Sequence, residues 1–365
     1  MKAVALYEVL ARELPGLSLE WLLTGHGDPY AGRVEPQDVR RSRFLRLTLG
    51  AALLPSTLPL PMLDLERLTA HATLDATLVE GCERLLDVHG QLRLTLAPGE
   101  VLPMVEAHLL TLRRRLAESI GPVDLRRRML RVAGLSAVLA AWTCYRLDRR
   151  RDARAYLDWA ERLGREIGEN DVLILVLMLR ADLASAIPFY GLNGQPELAR
   201  RKLDEAVSIA TGPARAPLLL RRAQECAYLG LEHESLGDLD EAQAAAACSG
   251  RALGLQEPVP IEPYLGICLQ MLGRTAEAVE VMTPLVGTGV PLQRSSRPIT
   301  LAACEAQLGN LDAAMDLLGQ AMDVIEEHGL AERARRVAGV RHGYLARWSQ
   351  EPCVRDLDER LAAIL

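Results

Sequence analysis

A 36-residue period in the second half of the chain constrains its fold more than any other feature. Leu229-Gly230, Leu265-Gly266 and Leu301-Ala302 recur at that spacing, and seven residues after each small residue stands a glycine: Gly237, Gly273 and Gly309. Five residues further on comes an alanine: Ala242, Ala278 and Ala314. The stretches 236–242, 272–278 and 308–314 read LGDLDEA, LGRTAEA and LGNLDAA. A period of this length matches one helical hairpin, in which the small residue admits a second helix, the glycine turns the chain and the alanine marks the crossing. One such hairpin cannot bury its own apolar face, so neighbours must stack.

Two weaker copies lie upstream. Gly194 and Ala199 keep the five-residue offset, with Leu203 and Ala206 behind them; Asp148 and Ala153 do the same, with Leu157 and Ala160. Counted by alanines, the spacings are 46, 43, 36 and 36. Pro188 predicts a kink or break in the helix that holds it. Residues 74–92, 99–119 and 124–147 read as three further helices, with Gly121-Pro122 separating the last two. Residues 330–348 and 354–365 read as amphipathic helices that cap the array. Ala and Leu dominate and only two Phe occur, so the expected fold class is all-α: an α-solenoid over 64–365, clearest at about 223–328.

The repeats resemble the tetratricopeptide repeat. A second resemblance sits near the start, where Leu17 to Pro29 reads LSLEWLLTGHGDP. Ser18 suits an N-cap, Leu19, Leu22 and Leu23 form an apolar face, and Gly25 with Pro29 suits a helix end. This run is similar to the last helix of a Cro/C1-type helix-turn-helix domain, and Ala3 to Leu14 fits the helix before it. Together the two resemblances are those of a bacterial regulator with a helix-turn-helix head and a tetratricopeptide sensor. Nothing ahead of Ala3 corresponds to the first three helices of such a head, so residues 1–30 are expected to be a two-helix remnant. DNA is then a partner only with the missing head present. Residues 31–63 read as a linker with a short helix. The basic run Arg40 to Arg46 and the apolar residues after it look like a twin-arginine signal, but Pro55, Pro59 and Pro61 interrupt them.

Composition narrows the function classes. A net charge of -6 argues against non-specific coating of nucleic acid. Seven scattered cysteines without a CxxC suit reduced thiols packed as small apolar residues in a cytoplasmic protein, not disulfides or zinc. The apolar run Val172 to Leu179 is too short to span a bilayer, so no membrane partner is expected. No HExxH, phosphate-binding loop, dinucleotide fingerprint or GxSxG elbow occurs, so the sequence predicts no catalytic residues, no metal and no cofactor. Fourteen Arg against six Asp and Glu between 113 and 165 could meet phosphates, but three consecutive arginines span most of a helix and suit solvated faces better.

What the tetratricopeptide resemblance implies is a concave groove formed by positions 2, 5, 9 and 12 of each first helix. Counted from the alanines, these are Leu135, Val138, Trp142 and Tyr145, then Gln224, Ala227, Leu231 and Glu234, then Ile267 and Gln270. Such a groove would be apolar with a few amide and carboxylate groups, suited to a peptide, small effector or protein partner. The expected function is a transcriptional regulator or its sensor portion; the alternative is a scaffold or adaptor that binds no DNA. Homodimerisation is left open.

Overall fold

The computed structural model describes residues 74–118, 121–168, 170–185, 194–248 and 260–365. The chain divides at residue 60 into two units, and every described residue belongs to the second. The expected helix-turn-helix remnant at 1–30, the linker at 31–63 and Pro188 lie outside the described residues.

Among the described residues there are fourteen α-helices and no strand. They are α1 (Ala76–Leu92), α2 (Pro98–Glu118), α3 (Val123–Arg146), α4 (Arg150–Ile167), α5 (Asn170–Ala184), α6 (Pro196–Ile209) and α7 (Ala216–Tyr228). There follow α8 (Glu232–Ala246), α9 (Glu262–Met271), α10 (Thr275–Met282), α11 (Pro291–Leu308), α12 (Leu311–His328), α13 (Ala331–Gly343) and α14 (Pro352–Ala362). No described helix is long and apolar enough to cross a membrane. Proline stands in the first turn of α6, α7, α9, α11 and α14, where its missing N–H costs nothing. Asp75 caps α1 by accepting from Leu78 N–H at 2.8 Å.

Consecutive helices pair extensively as α3–α4, α5–α6, α7–α8, α9–α10 and α11–α12, and α2 also packs on α3. Four of these pairs are joined by the same tight turn. One or two residues past the end of the first helix the chain is left-handed, at Asp148 (φ 57°), Gly230 (73°), Gly273 (78°) and Gly309 (93°). The next N–H then reaches back five residues: Arg149 to Cys144 C=O at 2.8 Å, and Leu231 to Cys226, Arg274 to Leu269 and Asn310 to Glu305, each at 2.9 Å. This bond closes the helix end and turns the chain back on itself. First helices also pack on first helices, α3 on α5, α7 on α9, α9 on α11 and α11 on α13. In addition, α13 touches α3.

The turns correct the repeat register. Gly237 lies inside α8, and Gly230 makes the turn of that hairpin. Five residues on, the position held by Ala278 and Ala314 belongs to Ser235, which is fully buried and donates its hydroxyl to Ala223 C=O at 2.9 Å. The small residue that faces it is Ala223, the counterpart of Gly266 and Ala302. The spacings are therefore 46, 36, 43 and 36. The misreading has a geometric cause: a shift of seven residues rotates a helix by only about 20°. Ala242 is consequently buried in either register, and the LGDLDEA stretch imitates a turn two helical turns too late.

The core forms three clusters: a large one from Leu74 to Cys268, a second from Ile299 to Leu361, and a small one of Leu269, Ala278, Met282, Leu301 and Cys304 between them. The apolar run in α5 is buried in the first. Five cysteines are also buried, and burial pushes the thiols of Cys82, Cys144, Cys268 and Cys304 up to about 12.

The corrected register makes two glycines respond oppositely to alanine. Gly237 is exposed in mid-helix with open space around a Cβ, so Gly237→Ala should stabilise by about 0.5–1 kcal/mol. Gly273→Ala should cost about 1–2 kcal/mol, because it forces a side chain into the left-handed region. Urea unfolding of the two variants reads the difference; equal effects would contradict the register.

Candidate functional site

Four of the residues expected to form a groove line one cavity of about 250 Å³. These are Trp142 and Tyr145 from α3, Gln224 from α7 and Ile267 from α9. The others go elsewhere. Leu135, Val138 and Ala227 are core residues. Leu231 is the N-cap of α8 and Glu234 is exposed in its first turn, a consequence of the seven-residue register shift. Gln270 is buried and internally bonded, donating Nε2 to Tyr344 Oη at 3.1 Å and to Gln307 Oε1 at 3.4 Å.

The cavity is not the apolar surface that the sequence suggests. Six arginines and three carboxylates line it. On α3, Trp142, Tyr145 and Arg146 stand at i, i+3 and i+4, one helix face. Arg221, Gln224 and Glu225 repeat that spacing on α7, and Asp182 near the end of α5 shares a face with Ser185 just beyond it. Glu332, Arg333 and Arg336 do so on α13, and Arg297 comes from α11.

Two ion-pair centres organise these charges. Arg221 donates Nε to Asp182 Oδ1 at 2.9 Å and Nη1 to Tyr264 Oη at 3.4 Å. Burial alone would lower its proton affinity, and the Asp182 carboxylate reverses this, so its pKa stands above the ordinary arginine value. Glu332 accepts from Arg146 Nη1 at 2.9 Å and from Arg333 Nη1 at 3.2 Å. Burial would raise its pKa, but Arg333, Arg146 and Arg336 overcome that and hold it below the usual carboxylate range. The arginines are less well served. Burial pushes Arg333 down to about 10, Glu332 opposes the shift, and Arg146 and Arg336 add repulsion.

Two lining groups lack charge partners among the described residues. Arg297 Nη1 donates to Leu285 C=O at 3.2 Å and Thr288 C=O at 2.7 Å and touches Thr288 Oγ1, with no carboxylate paired to it. Burial lowers its pKa. Glu225 is 3% exposed, and its Oε2 has no hydrogen-bond partner. Burial raises its pKa to about 8, against a lowering hydrogen bond from Ser185 and with a further rise from Asp182. At neutral pH Glu225 is mainly a neutral carboxyl. Arg93 stacks its guanidinium 4.5 Å from the Trp142 ring centroid.

Sequence reasoning missed these charged residues because it looked for an apolar groove. The available signal was charge at i, i+3 and i+4 within otherwise apolar helices, as at 221–225. The basic run from 113 to 165 behaves as a set of local pairs: Arg128 grips Glu83 through bonds of 3.0 and 2.7 Å, Arg149 bonds Asp152 and Arg165 bonds Glu161. No cluster of three or more His, Cys, Asp or Glu that could hold a metal occurs among the described residues.

Outside the cavity, His89 on α1 meets His108 on α2 edge to face, with ring centroids 5.4 Å apart. Burial lowers His89 to about 4; burial, then repulsion from His89, lowers His108 to about 3. Both are neutral in the fold.

These shifts set opposite pH dependences. The histidines bind protons more readily once unfolded, so their stabilisation is full above pH 6.5 and is lost as pH falls toward 4 and 3. Glu225 binds its proton more tightly when folded, so its stabilisation is full below pH 4.5 and is lost as pH rises through 8. Glu225→Gln should flatten the alkaline decline in urea unfolding while leaving the acid one; an unchanged alkaline limb would contradict the burial of a neutral Glu225. Glu332→Gln should cost about 3–5 kcal/mol, because it leaves buried guanidinium groups without their carboxylate.

No protein-family model matches the chain, and neither a curated protein nor a solved structure does.

Proposed function

We propose that residues 64–365 form a tetratricopeptide-like solenoid that receives a ligand in the charged cavity, and that this is the sensing part of a transcriptional regulator. One observation carries the ligand-receiving reading. The cavity draws side chains from α3, α5, α7, α9, α11 and α13, so it is lined by the first and last hairpins together. A ligand there touches helices far apart in the chain, and any preference for one arrangement of those helices shifts the whole array toward it. The regulator reading is supported by the likeness of Leu17 to Pro29 to the closing helix of a helix-turn-helix domain. DNA contact would belong to such a head, and the repeats would control its geometry or pairing.

Transcript profiles test this. A strain lacking the gene and a strain carrying Ile267→Trp, which fills the cavity, should shift an overlapping set of transcripts. The unfolding midpoint of purified Ile267→Trp protein verifies that it folds. A gene deletion that alters no transcript would sink the regulator reading and favour a scaffold. A deletion effect that folded Ile267→Trp does not share would detach regulation from the cavity.

A further inference from the structure

The cavity's charges say which chemistry it recognises. Arg146, Arg333 and Arg336 crowd around one carboxylate, Glu332, and the mutual repulsion is visible in Arg333. Arg297 adds another buried guanidinium, 7% exposed, that bonds carbonyls and a hydroxyl only. Carbonyl oxygens orient a guanidinium without neutralising it. The Nε atoms of Arg297 and Arg333 are buried without acceptors, and buried donors are ordinarily satisfied. Across the same cavity the Glu225 carboxyl also has a buried oxygen with no partner. When protonated, that group donates a hydrogen bond and adds no negative charge. Planar guanidinium forks match carboxylate and phosphate oxygens through paired bonds.

Size limits the occupant. About 250 Å³ is the share of roughly eight liquid water molecules, and falls below the roughly 300–1,000 Å³ of drug-sized sites. Apolar walls are present too, from Trp142, Ile267 and Leu292. We propose that the cavity is a binding site for a compact oxyanion, a small molecule bearing carboxylate or phosphate groups, held by Arg297 and Arg333 with its body against Trp142 and Ile267. This rests on the reading that the cavity receives a ligand, and adds the ligand's class. A bound oxyanion neutralises the guanidinium of Arg297, which carbonyl and hydroxyl oxygens leave charged, so binding couples directly to stability.

The experiment measures the unfolding temperature of the full chain with millimolar citrate, pyrophosphate or inorganic phosphate, against sodium chloride of equal ionic strength. A rise of several degrees with at least one anion is expected. Citrate acting alone assigns a carboxylate ligand, and the phosphates acting alone assign a phosphate. The rise should vanish in Arg297→Gln and shrink in Arg297→Lys, which keeps the charge but loses the fork. It should persist in Arg165→Gln, an exposed arginine outside the cavity. If Arg297→Gln fails to fold, the Arg297→Lys comparison decides. No rise with any of the three anions overturns the proposal, as does an equal rise in both Arg297 variants. A rise with an acidic pentapeptide and none with the small anions also overturns it, but leaves the ligand-receiving reading standing. If no added solute acts while Ile267→Trp still reproduces the deletion phenotype, the same division holds.

Discussion

Residues 146 and 332 are separated by just over half the chain, yet Arg146 and Glu332 are bonded at 2.9 Å in a largely buried setting. Sequestering both charges carries a desolvation cost of several kcal/mol, which attraction repays only when the geometry is good. The pair is therefore a weak source of net stability and a strong source of specificity. It fixes where α13 meets α3, and hence where Arg333 and Arg336 stand relative to Trp142 and Tyr145. A second link beside it, Arg335 to Asp148, reaches the left-handed turn between α3 and α4. The cavity exists because these two distant elements are held together.

Between those anchor points the architecture is built from local rules. In four of the hairpins a left-handed residue follows the first helix, the next N–H reaches back five positions, and a small residue twelve before the crossing position admits the second helix. Gly266 shows how tight that fit is, since a Cβ there would collide with Met282, itself buried. Asp148 does the turn's work without being glycine, at a cost that its ion pairs with Arg150 and Arg335 offset in part.

Helices and hairpins were legible in the sequence because their signals are local: Gly-Asn at 309–310, Gly121-Pro122 and the periodic apolar faces of 74–92 and 124–147 need no knowledge of distant residues. The register of one hairpin was not, because Gly237 and Ala242 offered the same pattern seven residues from Gly230 and Ser235. The left-handed turn at Gly230 and the hydrogen bond from Ser235 to Ala223 tell the two apart, and the second requires both helices in place. At the site, Trp142, Tyr145, Gln224 and Ile267 were reachable from repeat positions alone. Asp182, Glu225, Arg297 and Glu332 were not. A charged residue in a helix reads as solvent-facing until the element that buries it is known, and for Glu332 part of that burial comes from α3.

The three-part core has a mechanical consequence. Helices α9 and α10 are only ten and eight residues long, and the cluster joining them to α11 contains five buried side chains between two far larger cores. Local opening follows the density of buried contacts, so a hairpin held by so small a cluster costs less to loosen than the helices rooted in the two larger cores. It also carries Tyr264 and Ile267, which form a wall of the cavity. A transient parting at this waist would expose the charged interior to solvent while the cores on either side stayed intact. The thinnest layer of the described core thus lies directly behind one wall of the cavity.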